Sequence, residues 1–255
     1  RMAESVRTRL FLPQAGAEHL STDDPEILEV ARVLRFRSGD AVGVFADDPF
    51  EYRYIVEKSD RRGIELRLEA KAINRANPAV PCILLQAHGK AGKSGEIVKQ
   101  ATALGVTEIL FFRAERSIGR GSADKTEKMR KIAIESCRQC GRSQVPKVSV
   151  AKSDFSTVLD LVRREHPEMM FLTLSPEAGE HLLDAPRSRF YAGVCLIIGP
   201  EGGFSPDEES LLRSISTRFV HLGPRILRME LAAVVALALV QAMISTEHGE
   251  TDAEH

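Results

Sequence analysis

From residue 82 onward the chain repeats one pattern: a short run of consecutive apolar residues, a loop, then a helix-like segment. The runs are "CILLQA", "EILFF", "VSVA", "MMFLTL", "VCLIIG" and "FVHLG", separated by segments such as "GEIVKQATALG", "ADKTEKMRKIAIESCRQC" and "SDFSTVLDLVRRE". A strand that is apolar on both faces must be covered on both. The pattern therefore predicts an α/β fold, a mostly parallel sheet between layers of helices. Ligands on such sheets bind beyond the carboxyl ends of the strands. Chemistry is expected in the loops after residues 87, 113, 175, 199 and 223.

The first 75 residues read differently. "RLFL" leads into "DDPEILEVARVLRF", where Asp24 can cap a helix and Pro25 can occupy its first position. "SGD" and "DDPFE" are turns, and "AVGVFA", "YRYIVEK" and "GIELRLEAKAI" alternate in part, which suggests a small β-barrel. "NRANPAVP", with Pro78 and Pro81, is the best linker. The expected organisation is a barrel domain over 1–75, a linker over 76–81, a second domain over 82–246 and a frayed tail over 247–255.

A net charge of -1 hides an uneven distribution. Residues 76–150 carry 13 basic and 6 acidic groups, whereas 151–255 carry 9 and 16, so the middle block is the expected polyanion-facing surface, unless it is only a solvated helix face. Four cysteines and no leader-like segment point to a reducing cytoplasm. "CRQC" at 137–140 has metal-pair spacing without a second pair, so no metal is expected. "LAAVVALALVQAMI", 231–244, falls short of the ~20 residues that cross a bilayer. It should be a buried helix, covered on one side by a second copy of the chain.

Three loops hold the candidate chemistry. "HGKAGKSGE", 88–96, nearly spells a triphosphate-binding loop, but the position that needs its first glycine is Ala87 and Gly89 comes two residues too late. A nucleotide-dependent enzyme stays as a rival reading, with Lys90 and Lys93 able instead to touch a nucleic-acid backbone. Between 113 and 142 nine basic groups face four acidic ones, enough to neutralise phosphates of RNA, which is therefore a plausible partner. In "IGPEGGFSPDE" Ser205, Pro206 and Glu208 start a helix, so Gly199, Gly202 and Gly203 form a tight turn before it. A phosphate there would be repelled by Glu201. The turn suits a ligand rich in donors, with a merely turn-stabilising acid as the bland alternative. In "HLGPRILRMELAA", Arg225, Arg228 and Glu230 follow another glycine turn, an arrangement more site-like than core-like.

"IGPEGGFSPDE" followed by "LGPRILRMELAAVVAL" resembles the ribosomal RNA small-subunit methyltransferase E family, uridine-N(3) methyltransferases of the knotted SPOUT superfamily. "RVLRFRSGD", "KQATALGV", "ERS" and "RQCGRSQVP" look like its other motifs, so the likeness covers nearly the whole chain. The resemblance implies a PUA-like RNA-binding barrel, a methyltransferase domain with a C-terminal trefoil knot, a homodimer, S-adenosylmethionine as cofactor and 16S ribosomal RNA of the small subunit as substrate. It implies a cofactor site of Leu174, Ile198, Gly199, Pro200, Glu201, Gly202, Leu222, Gly223, Ile226 and Leu227. Glu230 is the expected proton acceptor and Arg228 the expected stabiliser of the developing anion; Arg9, Arg35, Lys90, Lys93, Arg116, Arg142 and Arg225 are expected to face RNA. Two positions depart from the family pattern: Leu231 stands where Thr is usual after the acid, and Ala103-Leu104-Gly105 where Glu-Leu-Gly is common. The first departure keeps a noncatalytic RNA-binding protein among the alternatives.

Overall fold

The structure is a computed structural model and describes residues 8–89, 93–117, 126–215 and 217–249. The chain divides into two compact units, Arg1–Asn77 with Cys137–Val145, and Pro78–Ser136 with Pro146–His255.

The first unit contains β1 (Arg9–Phe11), β2 (His19–Thr22), α1 (Pro25–Leu34), β3 (Ala41–Phe45), β4 (Phe50–Ser59) and β5 (Ile64–Ile73). Among the described residues these strands form one sheet in the order β1-β3-β4-β5-β2, antiparallel except for the β1–β3 pair. Tyr52, Tyr54 and Val56 alternate inward along β4 and meet Val42, Val44, Ile64 and Leu66 in the core, with Ile27 and Ala31 of α1 packed on them. Each valine, isoleucine or leucine side chain removed from water there contributes roughly 1.5–3 kcal/mol. Helix α1 begins where Asp24 Oδ1 accepts the N–H of Glu26 at 2.8 Å and ends at Arg35 in the left-handed region, φ 56°.

Arg9 corrects an expectation. Its guanidinium grips Glu51 through two bonds of 2.9 and 2.6 Å and donates to the carbonyls of Cys137 at 2.6 Å and Arg142 at 2.9 Å. Those donors are spent on the protein itself, so Arg9 is a structural pin rather than an RNA contact. Asn77 Oδ1 accepts from Ser143 and Gln144 N–H at 3.0 and 2.9 Å, and Ser143 Oγ donates to the Asp48 carbonyl at 2.7 Å. These bonds tie 137–145 into the first unit, whereas the sequence expectation put that segment in the second domain. Arg142 is only 2% exposed, and burial lowers its pKa, so it does not offer a phosphate contact. Burial likewise pushes the Cys137 thiol up to about 12. No cluster of metal-binding side chains occurs among the described residues.

The second unit contains β6 (Cys82–Ala87), α2 (Lys93–Ala103), β7 (Glu108–Arg113), α3 (Thr126–Cys140, whose last residues belong to the first unit), β8 (Lys147–Asp154), α4 (Phe155–Glu165), β9 (Met170–Leu174), β10 (Glu180–His181), β11 (Val194–Ile198), α5 (Pro206–Ser214), β12 (Arg218–His221) and α6 (Met229–Gly249). Its strands lie in the order β10-β12-β9-β11-β6-β7-β8, and every pairing is parallel. β6 and β11, in the middle, are buried along their whole length, as their unbroken apolar runs require. Helix α6 packs on α2 and β11 and extends past both ends of the expected 231–244 segment. No helix among the described residues is long and apolar enough to cross a membrane.

Candidate functional site

Gln86 stands in register with Ile198, Ile198 with Leu174, and Leu174 with Val220. One row thus crosses β6, β11, β9 and β12 at their carboxyl ends, and the segments that leave those strands start from the same edge. The expected cofactor residues Leu174, Ile198, Gly199, Pro200, Glu201, Gly202, Leu222 and Gly223 belong to that edge by register alone. Side chains in one row share a face. Gln86 is fully buried in it, and its Oε1 has no hydrogen-bond partner among the described residues.

The first turn, 199–203, is held from several directions. A Cβ on Gly199 would come within 2.8 Å of the Phe204 ring, and that ring stacks on Phe155 with centroids 5.4 Å apart. Ser205 caps α5 through a capping box: Glu208 Oε2 accepts the Ser205 N–H at 2.9 Å. The other oxygen of Glu208 accepts the N–H of Glu115 at 2.8 Å. Arg116, expected to face RNA, donates Nη1 to the carbonyls of Gly202 and Phe204 at 3.3 and 3.2 Å while staying exposed.

The second turn, 222–228, has fewer supports among the described residues. His221 Nδ1 accepts the Gly223 N–H at 3.0 Å, and the His181 ring of β10 meets the His221 ring edge-on at 5.0 Å. Gly223 has φ +107°, a conformation L side chains avoid, with open space where a Cβ would sit. Leu222 and Leu227 are half-buried, Ile226 is 84% exposed, and Arg225 and Arg228 are exposed.

Glu230 follows at the start of α6, and Lys93 Nζ lies 3.0 Å from its Oε1. A bond from its own backbone N–H, the bond and charge of Lys93, and the charge of Arg228 hold the Glu230 carboxyl below the usual carboxylate range. Lys93 was expected to meet RNA; the structure pairs it with the candidate proton acceptor instead. Sequence spacing could not reveal a pair 137 positions apart. Arg35 is exposed in the first unit, and Lys90 lies outside the described residues.

Comparison with known proteins decides the family. Residues 76–241 match the RNA methyltransferase domain model. The ribosomal RNA small subunit methyltransferase E of Mycobacterium bovis is 30% identical over 92% of this chain and 90% of its own length. This chain belongs to the ribosomal RNA small subunit methyltransferase E family. The Bacillus subtilis member is 28% identical over 92% of this chain and 94% of its own. A crystal structure of the family member from Neisseria gonorrhoeae, bound to S-adenosylmethionine, superposes with a TM-score of 0.82 at 25% identity, covering 92% of this chain and 97% of that one. As a methyltransferase E family member, the chain is an RNA methyltransferase whose candidate site is the sheet edge from which both glycine turns leave.

Proposed function

We propose that this protein transfers a methyl group from S-adenosylmethionine to N3 of a uridine in 16S ribosomal RNA of the small subunit. The register row from Gln86 to Val220 carries the reading, because it sets both glycine turns at one edge of a parallel sheet. The residues suit the cofactor. S-adenosylmethionine has no phosphate chain for Glu201 to repel, and its hydroxyl, amino and ammonium donors match a site with the acceptor Gln86 Oε1, which has no partner among the described residues. Small residues at 199, 202 and 223 let backbone approach closely. Leu174, Ile198, Pro200, Leu222, Ile226 and Leu227 would supply apolar walls.

When bound, S-adenosylmethionine supplies a methyl group activated by its sulfonium. The uracil imide must give up its N3 proton before that nitrogen can take the methyl. Arg228 would stabilise the resulting anion and Glu230 would take the proton. Glu230 is ionised across the neutral range, ready to accept, while the bond from its own backbone N–H and the pairing with Lys93 reduce its basicity. Holding nucleophile and methyl donor together can contribute up to about 7–11 kcal/mol, so positioning carries more of the rate than proton transfer does.

The family resemblance extends the proposal to a PUA-like RNA-binding role for the first unit, with Arg35 at its surface, to a knotted path through the two turns, to RNA contacts by Lys90 and Arg225, and to a cytoplasmic homodimer. The apolar run of α6 on all its sides supports the pairing of two copies. Titration with S-adenosylmethionine and with ATP tests the cofactor: heat from ATP alone would overturn the reading. Single-turnover methylation by Glu230→Gln should fall roughly 100-fold or more, and an unchanged rate would remove Glu230 from the chemistry. The depressed Glu230 pKa adds stability above the ordinary value of 4.5 that is lost as pH falls through the folded value. The melting difference between wild type and Glu230→Gln should therefore hold from neutral down to the ordinary value of 4.5 and shrink only on acidification below it.

A further inference from the structure

The amino-terminal edge of the same sheet, opposite the glycine turns, opens into a cavity of about 810 Å³ lined by Arg163, Arg164, Arg189 and Arg218. Only nine basic residues occur in 151–255 against 16 acidic ones, and four of the nine meet here. The Arg218 guanidinium is committed to Glu180 at 2.6 Å. Arg163, Arg164 and Arg189 have no carboxylate partner among the described residues, and all three are exposed. Asp160 is the single carboxylate on the lining.

Arg163 and Arg164 lie in the last turn of α4, where a cation also complements the helix dipole. That accounts for two residues but not for Arg189, which converges from a separate 3-10 turn, Arg187–Ala192. The deeper lining is Met169, Met170, Phe171 and Ile215, with side chains buried and apolar. An enclosed nucleotide would need polar groups on that floor. A strand running across the rim needs only the exposed guanidiniums.

We propose that this cavity rim is a second docking surface for the phosphate backbone of the substrate RNA, distinct from the methyl-transfer edge. The inference rests on the RNA methyltransferase reading above. β9 spans five residues, so the two edges lie only about 15 Å apart, and one RNA substrate can engage both. Each arginine neutralises a phosphate and releases condensed counterions, which makes the contribution visible in the salt dependence of binding.

Binding of a 16S ribosomal RNA transcript to the full-length protein, measured across a salt series, tests this. The triple variant Arg163→Gln, Arg164→Gln, Arg189→Gln should flatten the slope of log affinity against log salt by about 2 units and weaken binding at least roughly tenfold at moderate salt. The triple lysine variant keeps the charges and should keep the slope. S-adenosylmethionine affinity should be unchanged in both, which also reports that both fold. An unaltered slope in the glutamine variant, with wild-type binding intact, overturns the docking surface and leaves the enzyme reading standing. Absence of RNA binding by wild type overturns both. If the glutamine variant loses affinity for inorganic pyrophosphate but not for the transcript, the cavity is a small-anion site and the RNA proposal falls.

Discussion

The two glycine turns leave one edge of the sheet but are built to opposite standards. The 199–203 turn is fixed by the Phe204 stack, by the capping box, by Glu208 reaching the Glu115 N–H and by Arg116 on two carbonyls. Among the described residues, the 222–228 turn has a side-chain bond from His221 and the backbone freedom of Gly223, and it carries Ile226 into solvent at 84% exposure. A substitution in a rigid turn is paid for in folding stability, because neighbours cannot move away. In a loose turn the chain relaxes and the cost reappears when a ligand demands the original geometry. The proposed cofactor thus meets one preformed wall and one that it must order.

The largest effect should come from Gly199→Ala. Its methyl would lie 2.8 Å from the Phe204 ring, which is locked in a stack with Phe112 and Phe155. Overpacking of this kind costs about 1–3 kcal/mol, roughly 3–10 °C of melting temperature in a chain of this size. A calorimetric scan that leaves the melting temperature in place would show that the first turn is as yielding as the second.

Gly223→Ala comes next and should behave in the converse way. A methyl group meets no atom there, yet φ +107° costs an L residue about 1–2 kcal/mol. The weakly held turn should relax, so the melting temperature stays within about 3 °C while S-adenosylmethionine affinity falls roughly five- to thirtyfold. Equal losses of stability in the two alanine variants would erase the distinction between the turns.

Much of this contrast was legible before the structure and some was not. The glycines, Ser205 as cap with Pro206 and Glu208 behind it, and the doubly apolar strands are local signals that need no partner to be read. Lys93 with Glu230, and Glu208 with Glu115 N–H, join residues far apart in sequence, and only the parallel register brings them together. The arginines misled for the same reason: a guanidinium in a basic block looks free until its acceptors are known. Arg9 proved to be spent on Glu51 and on backbone carbonyls, while Arg163, Arg164 and Arg189, scattered through an acidic block, converge on one cavity. The two-residue strand β10 gave no periodic signal at all, yet it sets His181 against the residue that holds the second turn.

His221 tests that hold directly. Replacing it with alanine removes the acceptor for the Gly223 N–H, worth about 1 kcal/mol, so S-adenosylmethionine affinity should fall about fivefold. Asparagine places Oδ1 near the position of Nδ1 and should restore most of the loss, whereas a glutamine acceptor lies one bond too far. If asparagine binds no better than alanine, the histidine acts through packing on His181 and not through its acceptor.

Arg116→Ala should do least, and the reason is redundancy. Its two bonds to Gly202 and Phe204 carbonyls are long, 3.3 and 3.2 Å, and the guanidinium is exposed, so water can replace it. The capping box, the Glu208 bond and the aromatic stack all remain in the variant. Exposed substitutions of this type stay within about 0.5 kcal/mol, so cofactor affinity should change by less than about threefold. A larger drop would mean that the first turn owes its form to one arginine, as the second owes its form to one histidine, and the two walls would then be of a single kind.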